Sequence, residues 1–111
     1  MLVVSGAAKP LSAITLAEVL ATSDLPGGVV NLLTGKRAEL IEHFTTHMDV
    51  NAIIYCGQDA EERKLVRTKS ALNVKRAIIH DRADWSTPDG QSPYFILDTQ
   101  EVKTTWHPVG I

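Results

Sequence analysis

Residues 29–79 read VVNLLTGKRAELIEHFTTHMDVNAIIYCGQDAEERKLVRTKSALNVKRAII, and the reading of this stretch decides the fold. Val29 to Leu33 is apolar and rich in β-branched residues, broken only by Asn31 and closed by Thr34-Gly35. Leu40, Ile41, Phe44 and Met48 then recur at helical spacing, which predicts a helix over roughly 37–47. Ala52 to Cys56 is a run of strand length without alternation, as expected of a strand covered on both faces. Residues 59–72 carry a third helical pattern, with Asp59 placed to cap its start. Ala77 to Ile79 is one more apolar run. Strands that alternate with helices imply β–α–β units and a parallel sheet with right-handed crossovers.

The flanks extend the pattern. Leu2 to Val4 reads as the end of a strand. Pro10 stands where a helix can begin, because its missing N–H is no loss in the first turn. Leu11, Ile14, Leu16, Ala17 and Leu20 predict an amphipathic helix over 11–22, stopped by Ser23-Asp24-Leu25-Pro26-Gly27-Gly28. After His80 the chain changes character. Residues 81–93 are polar and rich in turn formers, and read as a loop or linker. Tyr94 to Leu97 reads as a further strand. Glu101 to Trp106 alternates Val102, Thr104 and Trp106 with Glu101, Lys103 and Thr105, a strand with two distinct faces.

Composition narrows the function classes. The chain has 111 residues, enough for one modest core, with 44% hydrophobic and 22% charged residues. A net charge of −2 and the lack of a basic face argue against a nucleic-acid partner. The basic cluster from Lys64 to Lys69 interleaves with Leu65 and Val66 and reads as a solvated helix face. No apolar run reaches the ~20 residues of a bilayer span, so no membrane role is expected. Met1-Leu2-Val3-Val4 is too short for a signal peptide. A single cysteine, Cys56, excludes an internal disulfide and a multi-cysteine metal site, and a reducing, cytoplasmic setting is the expectation.

The order Leu25-Pro-Gly-Gly-Val-Val-Asn-Leu-Leu-Thr-Gly35, then His47, Asp49-Val50-Asn51, Tyr55-Cys56-Gly57 and the strand 77–79, resembles the cofactor-binding region of the aldehyde dehydrogenase family. Gln100 to Thr105 resembles that family's final strand, which helps to join subunits. The resemblance implies an α/β fold: a Rossmann-like, mostly parallel four-stranded sheet flanked by helices, with a C-terminal β-arm. It places the cofactor-type domain at 1–80, a linker at 81–93 and the arm at 94–111. The family sets a long catalytic domain between the two matching segments. Here only a loop separates them, and Leu2 falls inside the first family strand.

The departures from the family pattern bear on activity. The Lys and Glu that hold the adenosine ribose in the family correspond to Val4 and Ala7, with Lys9 displaced by most of a strand length. The second Gly after the Thr-Gly turn is Arg37, which opposes close backbone approach. The Phe-Thr-Gly-Ser of the family is Tyr55-Cys56-Gly57-Gln58, and Asp59, Glu61 and Glu62 put negative charge where a phosphate would seek a helix N-terminus. His80-Asp81-Arg82-Ala83 stands in place of the catalytic Glu-Leu-Gly-Gly. Gly90-Gln91 is followed by Ser92 rather than the nucleophilic Cys, and so common a dipeptide carries no assignment.

The resemblance therefore implies an aldehyde dehydrogenase-family domain without catalytic residues, retained for structure or oligomer assembly. Its partners would be a second copy or a fuller aldehyde dehydrogenase subunit, met through the arm. The alternative is the nucleotide-binding part of an NAD(P)-dependent oxidoreductase acting on aldehydes. In that reading Thr34, Gly35, Gly57 and Gln58 are the cofactor-binding residues for NAD or NADP, weakly held; otherwise the glycines only make strand-to-helix turns. Cys56 precedes a predicted helix start, as a lowered-pKa nucleophile would, but it also suits the end of a buried strand. His43 and His47 share one helix face without an evident third metal ligand, and His107 is isolated in the tail. His80 and Asp81 follow a strand's carboxyl end, where sites form in such sheets, yet adjacent strand residues point to opposite faces. Trp85 and Trp106 flank the tail. A two-faced strand there needs a sheet edge, its own or a neighbour's.

Overall fold

The computed structural model describes residues 1–110. The order is β1 (Leu2–Val4), α1 (Leu11–Ala21), β2 (Asn31–Leu33), α2 (Arg37–Thr46), β3 (Ala52–Tyr55), α3 (Ala60–Ala71), β4 (Arg76–Ile79), a 3-10 turn (Pro88–Gln91) and α4 (Tyr94–Leu97). The α/β alternation and the parallel pairing are those the sequence predicts. The chain divides into two compact units, one from Met1 to Phe44 and one from Thr45 onward.

In the first unit β1 and β2 run parallel, with Leu2 opposite Asn31, Val3 opposite Leu32 and Val4 opposite Leu33. The ladder continues past both ends: the Asn31 amide donates to Met1 O and the Ser5 amide to Leu33 O. The crossover helix α1 begins at Pro10, whose carbonyl accepts from the Ala13 and Ile14 amides. At its other end Thr22 and Ser23 turn their hydroxyls back onto the Glu18 and Leu20 carbonyls, adding to the bonds their own amides make to the same oxygens. The predicted amphipathic stripe is realised only in part, with Ala17 and Leu20, together with Ala13, half-buried on one face. No α1 residue is buried, and Leu11, Ile14, Leu16 and Val19 all face solvent.

In the second unit β3 and β4 run parallel, with Ala52 opposite Arg76, Ile53 opposite Ala77, Ile54 opposite Ile78 and Tyr55 opposite Ile79. The crossover helix α3 is strongly polar and buries only a narrow stripe. Val66 and Ser70, one turn apart, are closed off from solvent. Covering Val66 contributes about 1.5–3 kcal/mol. Covering on both faces of β3 is not realised, since Ile54 remains 46% exposed.

The end of α3 is a tight reversal. The Lys75 amide donates to Ser70 O and the Val74 amide to Ala71 O, the pair of bonds of a Schellman motif. That motif needs a left-handed residue, and Val74 takes the place with φ of 55°. A β-branched residue there is strained by about 1–2 kcal/mol. The reversal is held by Lys75, which is 7% exposed and whose ammonium donates to the Thr45 and His47 carbonyls at 3.0 and 2.8 Å. Burial pulls its pKa below the ordinary lysine value. Asn73 adds an amide donation to Thr46 O.

Two expectations are corrected. The strands form two separate two-stranded sheets, β1–β2 and β3–β4, rather than one of four strands. The expected C-terminal β-arm is not a strand. Tyr94 to Leu97 is one helical turn, because Pro93 is already helical and its carbonyl accepts from the Ile96 and Leu97 amides. Residues 101–106 belong to no helix or strand and are exposed throughout. A short apolar run takes the local helical bonds when no strand offers long-range ones.

Two substitutions test the reversal. Val74→Gly should relieve the strain at a smaller cost of about 0.5–1 kcal/mol in chain entropy, raising Tm by a few degrees. Lys75→Met should remove the ammonium donor shared by the Thr45 and His47 carbonyls and lower stability by about 1–2 kcal/mol in urea unfolding. The depressed Lys75 pKa means the unfolded chain holds that proton to higher pH. Its contribution to stability therefore rises with pH between the folded and unfolded values, and the variant should lose that slope.

Candidate functional site

Chemistry-bearing side chains gather at the carboxyl ends of β3 and β4, the edge where parallel α/β sheets present their ligands. Tyr55 ends β3 and is 4% exposed. Its hydroxyl donates to Glu62 Oε2 at 2.7 Å, reaching from the strand end to the first turn of α3. Asp59 caps that helix, as the sequence predicts, with Oδ1 accepting from the Glu61 and Glu62 amides at 2.9 Å each. The Arg63 amide donates to Asp59 O. Of the first four α3 amides, three thus have partners inside the turn.

Gly57 lies beneath the Tyr55 ring. A Cβ at Gly57 would stand 2.6 Å from Tyr55 Cζ and closer still to the phenolic oxygen. The glycine is required because the tyrosine ring fills the space a side chain would take. Gln58 is exposed beside it.

On the neighbouring strand, the His80 amide extends the ladder to Tyr55 O at 2.9 Å. The His80 ring packs edge-on against Phe95 and Trp85, with centroids 4.8 and 5.8 Å apart, and Trp85 meets Phe95 at 5.1 Å. His80 Nε2 is buried there without a hydrogen-bond partner. Asp81 forms an ion pair with Arg63 of α3. His80 and Asp81 thus point to different neighbours and do not form an acid–base pair. Asp84 accepts from both the amide and hydroxyl of Ser86, which hold its carboxyl below the usual range and start the 84–91 turn. The cluster of His80, Trp85 and Phe95 was not legible beforehand, since only the helical turn at 94–97 brings Phe95 back.

The other sequence-derived positions are dispersed. Thr34 and Gly35 follow β2 in the first unit and are exposed, whereas Gly57 and Gln58 belong to the second unit. Cys56 is exposed but desolvation pushes its thiol above the ordinary value, opposite to an activated nucleophile. His47 Nδ1 accepts from the Asp49 amide, a local turn contact. Among the described residues no cluster of three or more His, Cys, Asp or Glu is placed to hold a metal ion, and no helix is long and apolar enough to cross a membrane.

The model of the aldehyde dehydrogenase family matches residues 3–104, nearly the whole chain, and the protein belongs to that family. No solved structure gives a significant match.

Two measurements probe this site. Gly57→Ala should cost about 1–3 kcal/mol, because Tyr55 must leave its place, and Tyr55→Leu in the same chain should recover part of the loss. Alkylation of Cys56 by iodoacetamide should be slow at neutral pH and accelerate with a midpoint above that of an ordinary thiol.

Proposed function

From membership of the aldehyde dehydrogenase family, we propose that this chain is a non-catalytic domain that acts by assembly in a reducing, cytoplasmic compartment. It associates with itself or with a fuller aldehyde dehydrogenase subunit through residues 94–110. The observation that carries this reading is the state of that segment. Tyr94, Ile96, Leu97, Val102, Trp106 and Val109 are all exposed, and residues 101–110 lie outside any helix or strand. Apolar and backbone groups left open together match β-augmentation, in which an extended segment adds to the edge of another chain's sheet. The alternating 101–106 pattern then finds the partner strand it lacks here. The Arg76 guanidinium, 3.4 Å from Glu101, lies beside the start of that segment.

The absence of catalysis is supported by the side chains at the site. Covalent aldehyde oxidation needs a positioned thiolate and a base. Desolvation pushes the Cys56 thiol up rather than down, and His80, where the family has its catalytic Glu, is packed among aromatic rings.

Size-exclusion chromatography with light scattering tests assembly directly. The expected result is an assembly larger than the monomer, or a mixed assembly with a purified full-length aldehyde dehydrogenase. Val102→Asp with Trp106→Asp should abolish it without lowering Tm, since both side chains are exposed in the monomer. A strict monomer that also ignores the full-length subunit would overturn the proposal, and aldehyde-dependent NADH production would overturn its non-catalytic part.

A further inference from the structure

Members of this family use NAD(P), so the β3–α3 turn invites a test of fit for a dinucleotide pyrophosphate. A pyrophosphate at such a turn needs free helix-terminal amides and a bare glycine over which to approach. Neither is present. Asp59 Oδ1 already takes the Glu61 and Glu62 amides, and the Tyr55 ring covers Gly57. Glu62 is fixed in the same turn by the Tyr55 hydroxyl, and Glu61 adds a further negative charge to the first turn. The Asp81 carboxylate, at the end of the adjacent strand, is taken by Arg63. A pyrophosphate would have to displace a carboxylate from two hydrogen bonds, lift a buried ring and settle among like charges.

We infer that the β3–α3 turn is closed by its own side chains, Tyr55 and Asp59 above all, and does not accept the pyrophosphate of NAD or NADP. Asp59 supplies from within the chain the negative charge that a bound phosphate would bring, and Tyr55 fills the volume the phosphate would occupy. The glycine of the family pattern is kept for a new reason: it makes room for a ring of the protein itself. Gly57 and Gln58 are then parts of a structural turn. The inference stands whether or not the chain assembles, because it concerns one turn inside the second unit.

Amide NMR of the full chain tests it, with NAD+, NADP+ and inorganic pyrophosphate titrated separately into the millimolar range. The amides of Gly57, Gln58, Ala60, Glu61 and Glu62 should not move. A saturable shift of these amides with the dinucleotides and with pyrophosphate would overturn the inference. A shift confined to Thr34 and Gly35 would support closure of this turn while placing a nucleotide on the first unit. The converse arm opens the turn with Tyr55→Leu, Asp59→Ser and Glu62→Gln combined, the serine keeping a capping oxygen. This variant should acquire pyrophosphate-dependent shifts at the same amides. A folded variant that remains indifferent to pyrophosphate would refute the role given to these side chains. Should the variant not fold, the wild-type titration still decides.

Discussion

The Tyr55 ring seated on Gly57 is the contact on which the organisation of the second unit turns. It fixes the end of β3, denies the next turn any side chain at position 57, and delivers a phenolic hydroxyl to Glu62 on α3. Strand, turn and helix are thereby tied at one point. Asp59 completes the arrangement by capping the helix that Tyr55 grips. A buried tyrosine is tolerated only where its hydroxyl finds a partner, and Glu62 meets that demand at the boundary with solvent. The edge that carries ligands in parallel α/β sheets is thus converted into a self-satisfied junction.

The opposite end of α3 solves a different problem with less ideal means. A helix must give way to a strand within a few residues, and the bonds made by the Lys75 and Val74 amides do this. Glycine is the ordinary occupant of the left-handed position, and valine is among the least suited. The buried Lys75 ammonium, held by two carbonyls, offsets part of that strain and sets the path into β4. Both ends of the crossover therefore depend on polar side chains used as struts, which suits a helix that buries only Val66 and Ser70.

Exposed apolar surface is the other persistent feature. It lies on α1, which buries none of its residues, and along the tail from Tyr94 to Val109. Single exposed apolar residues are ordinary, but several large ones on one helix and a tail without pairing are not.

The sequence by itself determined the family, through motifs such as Leu25 to Gly35, and also the α/β order, the parallel pairing within each β–α–β unit and the Asp59 cap, which follow from local periodicity, strand–helix alternation and a side chain bonding its own neighbourhood. It also located the departures at 55–62 and 80–83. What it could not determine were the outcomes of competition between distant groups. The tail pattern predicts a strand, but the helical Pro93 and the local bonds of 92–98 make Tyr94 to Leu97 a helical turn instead. Gly57 carried two meanings, and only the position of the Tyr55 ring chose between them. Nothing in the sequence sets Lys75 apart from the other lysines; the Thr45 and His47 carbonyls within its reach do. Local sequence fixes which bonds a segment is able to make. Which of them it does make depends on what the tertiary structure brings alongside.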